Sequence, residues 1–257
     1  MLTPKQLSQF ETFGFLVLRQ SFSPGEMLAI EKEADHIWGS AESMDTDSGH
    51  TEVGKQISGF VERSALLTNL IADDRIYVTV KQLLGHDFVY VASDGNMWAG
   101  DTVWHSDDNI RPGYKRLKVV FYLDSLRKEN GCLRVIPGSH HNSFHQIMKP
   151  MIQQGLNVSL GISGEELPSF PIETSLGDVL IFCHDMFHAS FGASQLRRQI
   201  ALSFFAKPIL DEHKTWVKAL YSQIRDKSDE RTAQALMNNP NIKIQNVMAG
   251  LKALGLK

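Results

Sequence analysis

The chain has 257 residues, of which 42% are hydrophobic and 21% are charged, and its formal net charge is −3. This composition is typical of a globular protein with one substantial core, and the small negative charge gives no long-range field that would attract nucleic acid. No stretch reaches the roughly 18 apolar residues that span a bilayer, the first residues do not resemble an export signal, and two cysteines cannot supply a cysteine-rich metal site.

We expect one catalytic domain over residues 1–257 in the cytoplasm, with a mainly helical first part at 1–86. Two capping signatures, TPKQ at 3–6 and SPGE at 23–26, each place proline at the first helical position. Between the two helices that they begin, the apolar run 14–18 predicts a strand.

The polar, glycine-containing stretch 40–55 is predicted to be a loop, either a lid over a site or a plain insertion. Asp73 or Asp74 then caps a further helix, which Gly85 ends. Helices therefore dominate the chain before the β-rich part begins.

From residue 87 to 208 the pattern changes to short β-rich runs, separated by turn formers such as RPG and ENG. The predicted strands are 88–92, 102–105, 117–123, 133–136, 179–183 and 200–205. Short strands punctuated in this way indicate an antiparallel sandwich or barrel. The last part, 209–257, is predicted to be a helical extension, and its apolar helix faces lead us to expect a homodimer.

The run WHSD, which ends at Asp107, is the first pattern that carries chemistry. Residues two apart on a strand point to the same face, so His105 and Asp107 can bind one metal ion together. His188, far downstream after an apolar strand, offers a second imidazole. Two histidines and one carboxylate form the facial triad of non-haem iron(II) oxygenases, although zinc accepts the same ligands.

A positive charge near such a metal is the second pattern. An oxo-diacid bound to the metal has a distal carboxylate, which needs a fixed cation. Arg197 and Arg198 follow His188 at the start of a strand, where one of the two can face inward. Ser190 lies on the same face as His188 and offers a hydroxyl to the same carboxylate. These residues alone leave the choice of arginine open.

With these residues in place, the sequence resembles the phytanoyl-CoA dioxygenase family of iron(II)- and 2-oxoglutarate-dependent oxygenases. The resemblance covers roughly residues 5–206 and rests on the motifs WHSD, ENGCLRVIPGSH, GDVLIF and HAS, followed by an arginine, in the family's order and spacing. It implies a mainly β fold, a double-stranded β-helix (a jelly-roll, cupin-like barrel) with flanking N-terminal and C-terminal helices.

The resemblance also implies residue roles. His105, Asp107 and His188 would ligate iron, and Arg197, assisted by Ser190, would form a salt bridge to 2-oxoglutarate. Arg197 is preferred to Arg198 because RRQIAL then keeps the family's strand register.

Strand positions add three candidate contacts of the co-substrate, which are Asn96, Thr102 and Tyr122. Asp94, Asp108 and the 40–55 loop are expected nearer the primary substrate.

Three further histidines are not expected to bind the metal. The family places its second metal histidine where His188 stands, which excludes His184. His140 and His141 follow a Pro-Gly-Ser turn and are expected to be structural or exposed.

The expected function is that of an oxidoreductase, a dioxygenase that hydroxylates a small-molecule metabolite with iron(II), 2-oxoglutarate and O2 and releases succinate and CO2. The alternative is a non-catalytic or zinc-bound jelly-roll protein that binds a ligand. Neither nucleic acid nor a membrane is an expected partner, and the sequence does not identify the primary substrate.

Overall fold

Two antiparallel β-sheets form the centre of the protein in a computed structural model that describes residues 1–40, 53–107, 113–227 and 236–256. The strands are β1 (Phe15–Leu18), β2 (Val53–Ser58), β3 (Val89–Ala99), β4 (Thr102–His105), β5 (Arg116–Tyr122), β6 (Leu133–Val135), β7 (Phe170–Ile172), β8 (Val179–Cys183), β9 (His188–Ser190) and β10 (Arg197–Phe205). The larger sheet has the order β1-β8-β5-β10-β3-β2, and the smaller sheet the order β4-β9-β6-β7. The predicted jelly-roll fold is confirmed.

Helices flank the sheets. They are α1 (Pro4–Phe13), α2 (Pro24–Ser40), α3 (Ala65–Thr68), α4 (Asp74–Leu84), α5 (Asn142–Gln154), α6 (Leu156–Ser159), α7 (Asp211–Lys227) and α8 (Ile242–Ala253). Within the described ranges, no helix is both long and apolar enough to cross a bilayer.

Local hydrogen bonds explain where the predicted helices begin. Thr3 Oγ1 accepts from the Gln6 backbone N–H at 3.3 Å, and Gln6 Oε1 accepts from the Thr3 N–H at 2.9 Å. Ser23 and Glu26 form the same reciprocal pair at the start of α2. Asp73 caps α4 by accepting from the backbone of the second residue after it. Each cap satisfies backbone donors that a helix start leaves without partners.

Alternating side chains divide the core into layers. In β5, Val119 and Phe121 belong to the apolar cluster that the helices cover, whereas Val120 and Tyr122 belong to the cluster between the two sheets. A third cluster, around Trp104, packs α5 and α6 onto the smaller sheet. Apolar side chains therefore fill the middle of the space between the two sheets, and polar side chains lie at one end of it.

The sheets also contain strands that the sequence did not predict. β2 begins at Val53, inside the stretch predicted as a loop. The sequence does not predict this strand, because VGKQIS lacks a regular apolar alternation. Residues 41–52 of the same stretch lie outside the described residues. β3 continues to Ala99, beyond the predicted end at 92. β1 and β2 bring the helical first part into the larger sheet. A single catalytic domain over the whole chain stays a prediction.

Candidate functional site

Three side chains with metal-ligating atoms meet at one end of the smaller sheet. His105 is the last residue of β4, and its direct antiparallel partner is His188, the first residue of β9. Asp107 lies two residues beyond His105, just past the strand. One ligand atom from each of the three residues lies within 4.8 Å of the other two. The structure therefore brings together the three residues that the sequence proposed as a metal site.

Backbone carbonyls determine how both imidazoles are turned. His105 Nδ1 lies 2.8 Å from the carbonyl oxygen of Val103, and His188 Nδ1 lies 2.9 Å from that of Met186. Because a carbonyl oxygen can only accept, each Nδ1 carries the proton and each Nε2 keeps a lone pair for a metal. Burial, together with the nearby His105, lowers the pKa of His188 to about 3, so this imidazole is neutral at neutral pH.

The carboxylate of Asp107 is held between charged and neutral neighbours. Its Oδ1 lies 2.7 Å from Lys118 Nζ and 3.7 Å from His188 Nε2. Burial alone would raise the pKa of this carboxyl, but nearby positive charge, chiefly that of Lys118, outweighs burial and keeps the pKa below its usual value. Asp107 Oδ2 is buried without a hydrogen-bond partner among the described residues. A neutral imidazole and an ionised carboxylate with an unsatisfied oxygen fit a divalent cation.

Arg197, the first residue of β10, is buried beside the triad. Its Nη1 donates to the carbonyl of Gly131 at 2.8 Å and to Ser190 Oγ, and its Nη2 donates to the carbonyl of Gly100 at 2.8 Å. These acceptors are uncharged, and Nε has no hydrogen-bond partner within the described parts of the chain. The guanidinium is therefore fixed in place while its charge stays available for an anion.

The neighbouring arginine points away from this site. Arg198 forms ion pairs with Glu31 at 2.8 Å, with Asp35 at 3.1 Å and with Asp124 at 2.9 Å. Two of these carboxylates belong to α2, on the helix-covered side of the larger sheet. The alternation of β10 thus separates the two arginines, and Arg197 is the one on the side of the triad.

A cavity of about 430 Å3 extends from the triad to Arg197. All three candidate co-substrate contacts lie on its wall, namely Asn96, Thr102 and Tyr122. Among the lining residues that the sequence analysis did not single out, four have nitrogen-bearing side chains, namely Gln56, Trp98, Lys118 and Gln199.

A sequence signal existed for some of these four residues. Lys118 alternates with Val120 and Tyr122 on a predicted strand, so its inward position could have been found from the period of two. Gln56 could not, because β2 itself was not predicted.

The remaining candidates surround this centre. Asp94 lies on β3 and accepts hydrogen bonds from Ser58 and Gln56, whereas Asp108 lies outside the described residues. His184 is not in the metal-ligating group; its carbonyl accepts from the Asp107 N–H at 3.2 Å. His140 and His141 lie with their Nε2 atoms 3.2 Å from backbone carbonyl oxygens at the end of α1.

Comparison of the sequence with known proteins gives a family match. The family model described as Phytanoyl-CoA dioxygenase (PhyH) matches residues 10–200. The ectoine dioxygenase of Sphingopyxis alaskensis is 28% identical over 153 residues, 54% of this chain and 50% of that protein. Dioxygenase lolE1 of Epichloe uncinata is 31% identical over 137 residues, 50% of this chain and 49% of that protein. The chain thus spans about half the length of the curated relatives it matches.

Solved structures share the fold. EctD from S. alaskensis superimposes with a TM-score of 0.61 and 22% identity, covering 80% of this chain and 77% of EctD. HygX from Streptomyces hygroscopicus superimposes with a TM-score of 0.65 and 19% identity, covering 80% of this chain and 87% of HygX. Crystal structures of HygX contain iron, or nickel with 2-oxoglutarate, and one of EctD contains 2-oxoglutarate and 5-hydroxyectoine.

Proposed function

Because the chain belongs to the phytanoyl-CoA dioxygenase family, we propose that it is an iron(II)- and 2-oxoglutarate-dependent dioxygenase that hydroxylates a small-molecule metabolite. One observation carries the proposal: a His-Asp-His group and a buried, clamped arginine line the same cavity. The three ligands alone would suit zinc as well. A fixed guanidinium beside them adds a place for a second, carboxylate-bearing ligand, which an oxo-diacid co-substrate would fill.

His105 and His188 would hold the ferrous ion through Nε2, and Asp107 through its carboxylate. Three protein ligands leave coordination positions for 2-oxoglutarate and O2. When bound, iron and 2-oxoglutarate would activate O2, which is the oxidant: oxidation of 2-oxoglutarate to succinate and CO2 would supply two of the four electrons that O2 accepts, and the hydroxylated C–H bond would supply the other two. Lys118 keeps Asp107 ionised, so that this ligand does not have to lose a proton before it binds the metal.

Arg197 would receive the distal carboxylate of 2-oxoglutarate, with the hydroxyl of Ser190 as a second donor. Tyr122 lies on β5 and Thr102 on β4, so they line the cavity from opposite sheets and are proposed to orient the co-substrate. Asn96 on β3, the third candidate from its strand position, lines the same cavity. The apolar side chains of Leu133 and Phe182, which also line the cavity, would exclude water from the metal.

Succinate release tests this proposal. Purified protein supplied with iron(II), O2 and 2-oxoglutarate is expected to form succinate, faster when its substrate is present, and Asp107→Ala is expected to lose at least 100-fold of this rate. Asp87→Ala, which removes an exposed carboxylate paired with Lys207, is the matched control and is expected to keep the wild-type rate. Equal rates in Asp107→Ala and wild type, or no succinate from iron-loaded wild type, would contradict the proposal.

A further inference from the structure

A row of three side-chain amides crosses the larger sheet on the wall of the cavity. Gln56 on β2 is the direct partner of Asn96 on β3, and Asn96 is the direct partner of Gln199 on β10. Directly paired residues on neighbouring strands point to the same face of a sheet. All three line the cavity, and we call them the amide row.

Hydrogen bonds within the wall determine which amide atoms already have a partner. Gln56 Nε2 donates to Asp94 Oδ1 at 3.5 Å, and this carboxylate also accepts from Ser58 Oγ at 3.3 Å. Gln56 therefore directs its NH2 group at Asp94 Oδ1, which leaves Gln56 Oε1 for a ligand. Asn96 Nδ2 donates to Gln199 Oε1 at 3.3 Å, which leaves Asn96 Oδ1 as the acceptor.

The acceptor of Asn96 is unsatisfied. Its Oδ1 is buried and has no hydrogen-bond partner in the parts of the chain that the structure describes. A buried polar atom without a partner destabilises the protein, so the site favours a ligand that brings a donor. 2-Oxoglutarate cannot do so, because its dianion has only acceptor oxygens. The free carbonyl of Asn96 is therefore matched to a molecule other than the co-substrate.

We propose that the amide row binds the primary substrate, and that this substrate carries an amine, amidine or primary amide group. The inference rests on the proposed function. Gln56 and Asn96 are direct cross-strand partners, and each uses its NH2 group within the wall and keeps its amide oxygen. A nitrogen group with two N–H bonds could supply a donor to each oxygen, whereas a hydroxyl supplies one donor. This assigns Asn96 to the primary substrate instead of the co-substrate, where strand position alone had placed it.

An aromatic surface adjoins the row. Trp98, two residues beyond Asn96 on β3, lines the same cavity, and its indole packs so closely over Gly54 that a Cβ there would lie 2.0 Å from the ring. An indole face attracts either an apolar group or a cation. The substrate class is therefore a small molecule with an N–H-bearing nitrogen group next to an apolar part.

Matched pairs of probe compounds test the inference on protein loaded anaerobically with iron(II) and 2-oxoglutarate. The donor probes are cyclohexylammonium, benzamidine and pentanamide, and each is compared with its fully N-methylated counterpart by calorimetry. At least one donor probe is expected to bind at least tenfold more tightly than its methylated counterpart, the ratio that about 1.4 kcal/mol of hydrogen bonding gives.

Substitutions in the amide row test whether the difference in affinity between donor and methylated probes arises there. Gln56→Leu and Asn96→Leu are expected to remove the tenfold difference while the affinity for 2-oxoglutarate changes less than twofold. Gln82→Leu, in α4 and outside the cavity, is expected to keep the difference. Melting temperatures verify folding, and Gln56→Ala and Asn96→Ala replace any leucine variant that does not fold.

Three results would overturn the inference: methylated probes that bind as tightly as the donors, no binding of any donor probe to the loaded protein, or a tenfold loss of 2-oxoglutarate affinity in Asn96→Leu. The first two leave the proposed function intact, and the third would return Asn96 to the co-substrate. Wild-type protein that does not load iron and 2-oxoglutarate would instead overturn the proposed function together with this inference.

Discussion

Two arginines that are adjacent in sequence have opposite environments at the start of β10. Arg197 is clamped by carbonyls and a hydroxyl inside the cavity, whereas Arg198 is surrounded by carboxylates on the other side of the sheet. The strand period alone stated only that one of the two faces inward, and the family resemblance favoured Arg197. Arg198 is therefore a matched control for Arg197, because the same substitution can be made at both positions.

We expect Arg197→Lys to raise the KM for 2-oxoglutarate by roughly 10- to 100-fold. Lysine keeps the charge but loses the planar, multiply bonded guanidinium, and a hydrogen bond to a charged group contributes about 1.5–3 kcal/mol. Steady-state kinetics with varied 2-oxoglutarate measures the change. Arg198→Lys is the control and is expected to leave this KM within about twofold; a larger effect at Arg198 would reverse the assignment.

At the scale of elements, β2 depends on a glycine that faces Trp98. Gly54→Ala is expected to destabilise the protein by about 1–3 kcal/mol, because the added methyl group overlaps the indole and forces it or the edge strand to move. Urea denaturation measures the loss. Gly39→Ala, near the end of α2 with open space around its Cα, is the control and is expected to stabilise by a few tenths of a kcal/mol. Equal effects at both glycines would contradict the packing described for Trp98.

A second element, the short 3-10 turn at Val61–Arg63, is attached to β3 through Glu62. Tyr90 Oη donates to Glu62 Oε1 at 2.6 Å, and Ser93 Oγ donates to Oε2. Burial raises the pKa of the Glu62 carboxyl, although these hydrogen bonds oppose the shift. The folded protein therefore binds this proton more tightly than the unfolded chain does.

The sign of the pH dependence follows from that shift. Glu62 contributes its stability below the unfolded pKa of 4.5 and loses it as the pH rises through the higher folded pKa. We expect Glu62→Gln to remove this part of the pH dependence, which is on the order of 1 kcal/mol for each tenfold difference in proton affinity between the folded and the unfolded chain. The free energy of unfolding at pH 5 and pH 8 measures it. A variant that loses as much stability as wild type between these pH values would refute the role of burial.

At the scale of the whole molecule, the convergence of His105, Asp107 and His188 was predictable from the sequence, and the composition of the cavity wall at the amide row was not. His105 and Asp107 are two residues apart, so the sequence alone predicts that they share one face of a strand. His188 follows an apolar run that the sequence predicts to be a strand. The amide row depends on the pairing of β2 with β3, and β2 is a polar edge strand without the apolar alternation that signals a strand. The register between strands that are distant in sequence determines which polar residues become neighbours, and a local sequence pattern does not give that register.

The association state also belongs to this scale. Apolar residues of α8, including Val247 and Leu251, are buried within the chain's own core cluster. The homodimer expected through the C-terminal helices stays a prediction, and sedimentation equilibrium of the purified protein would decide it.

The proposed function requires that iron(II) and 2-oxoglutarate bind together at the centre formed by His105, Asp107 and His188. Anaerobic titration of the iron(II)-loaded protein with 2-oxoglutarate, followed by visible absorbance, tests it most directly. We predict a weak charge-transfer band that saturates at one equivalent per chain and is absent from His188→Ala. Wild-type protein that binds iron but develops no band, or a band that persists unchanged in His188→Ala, would contradict the account.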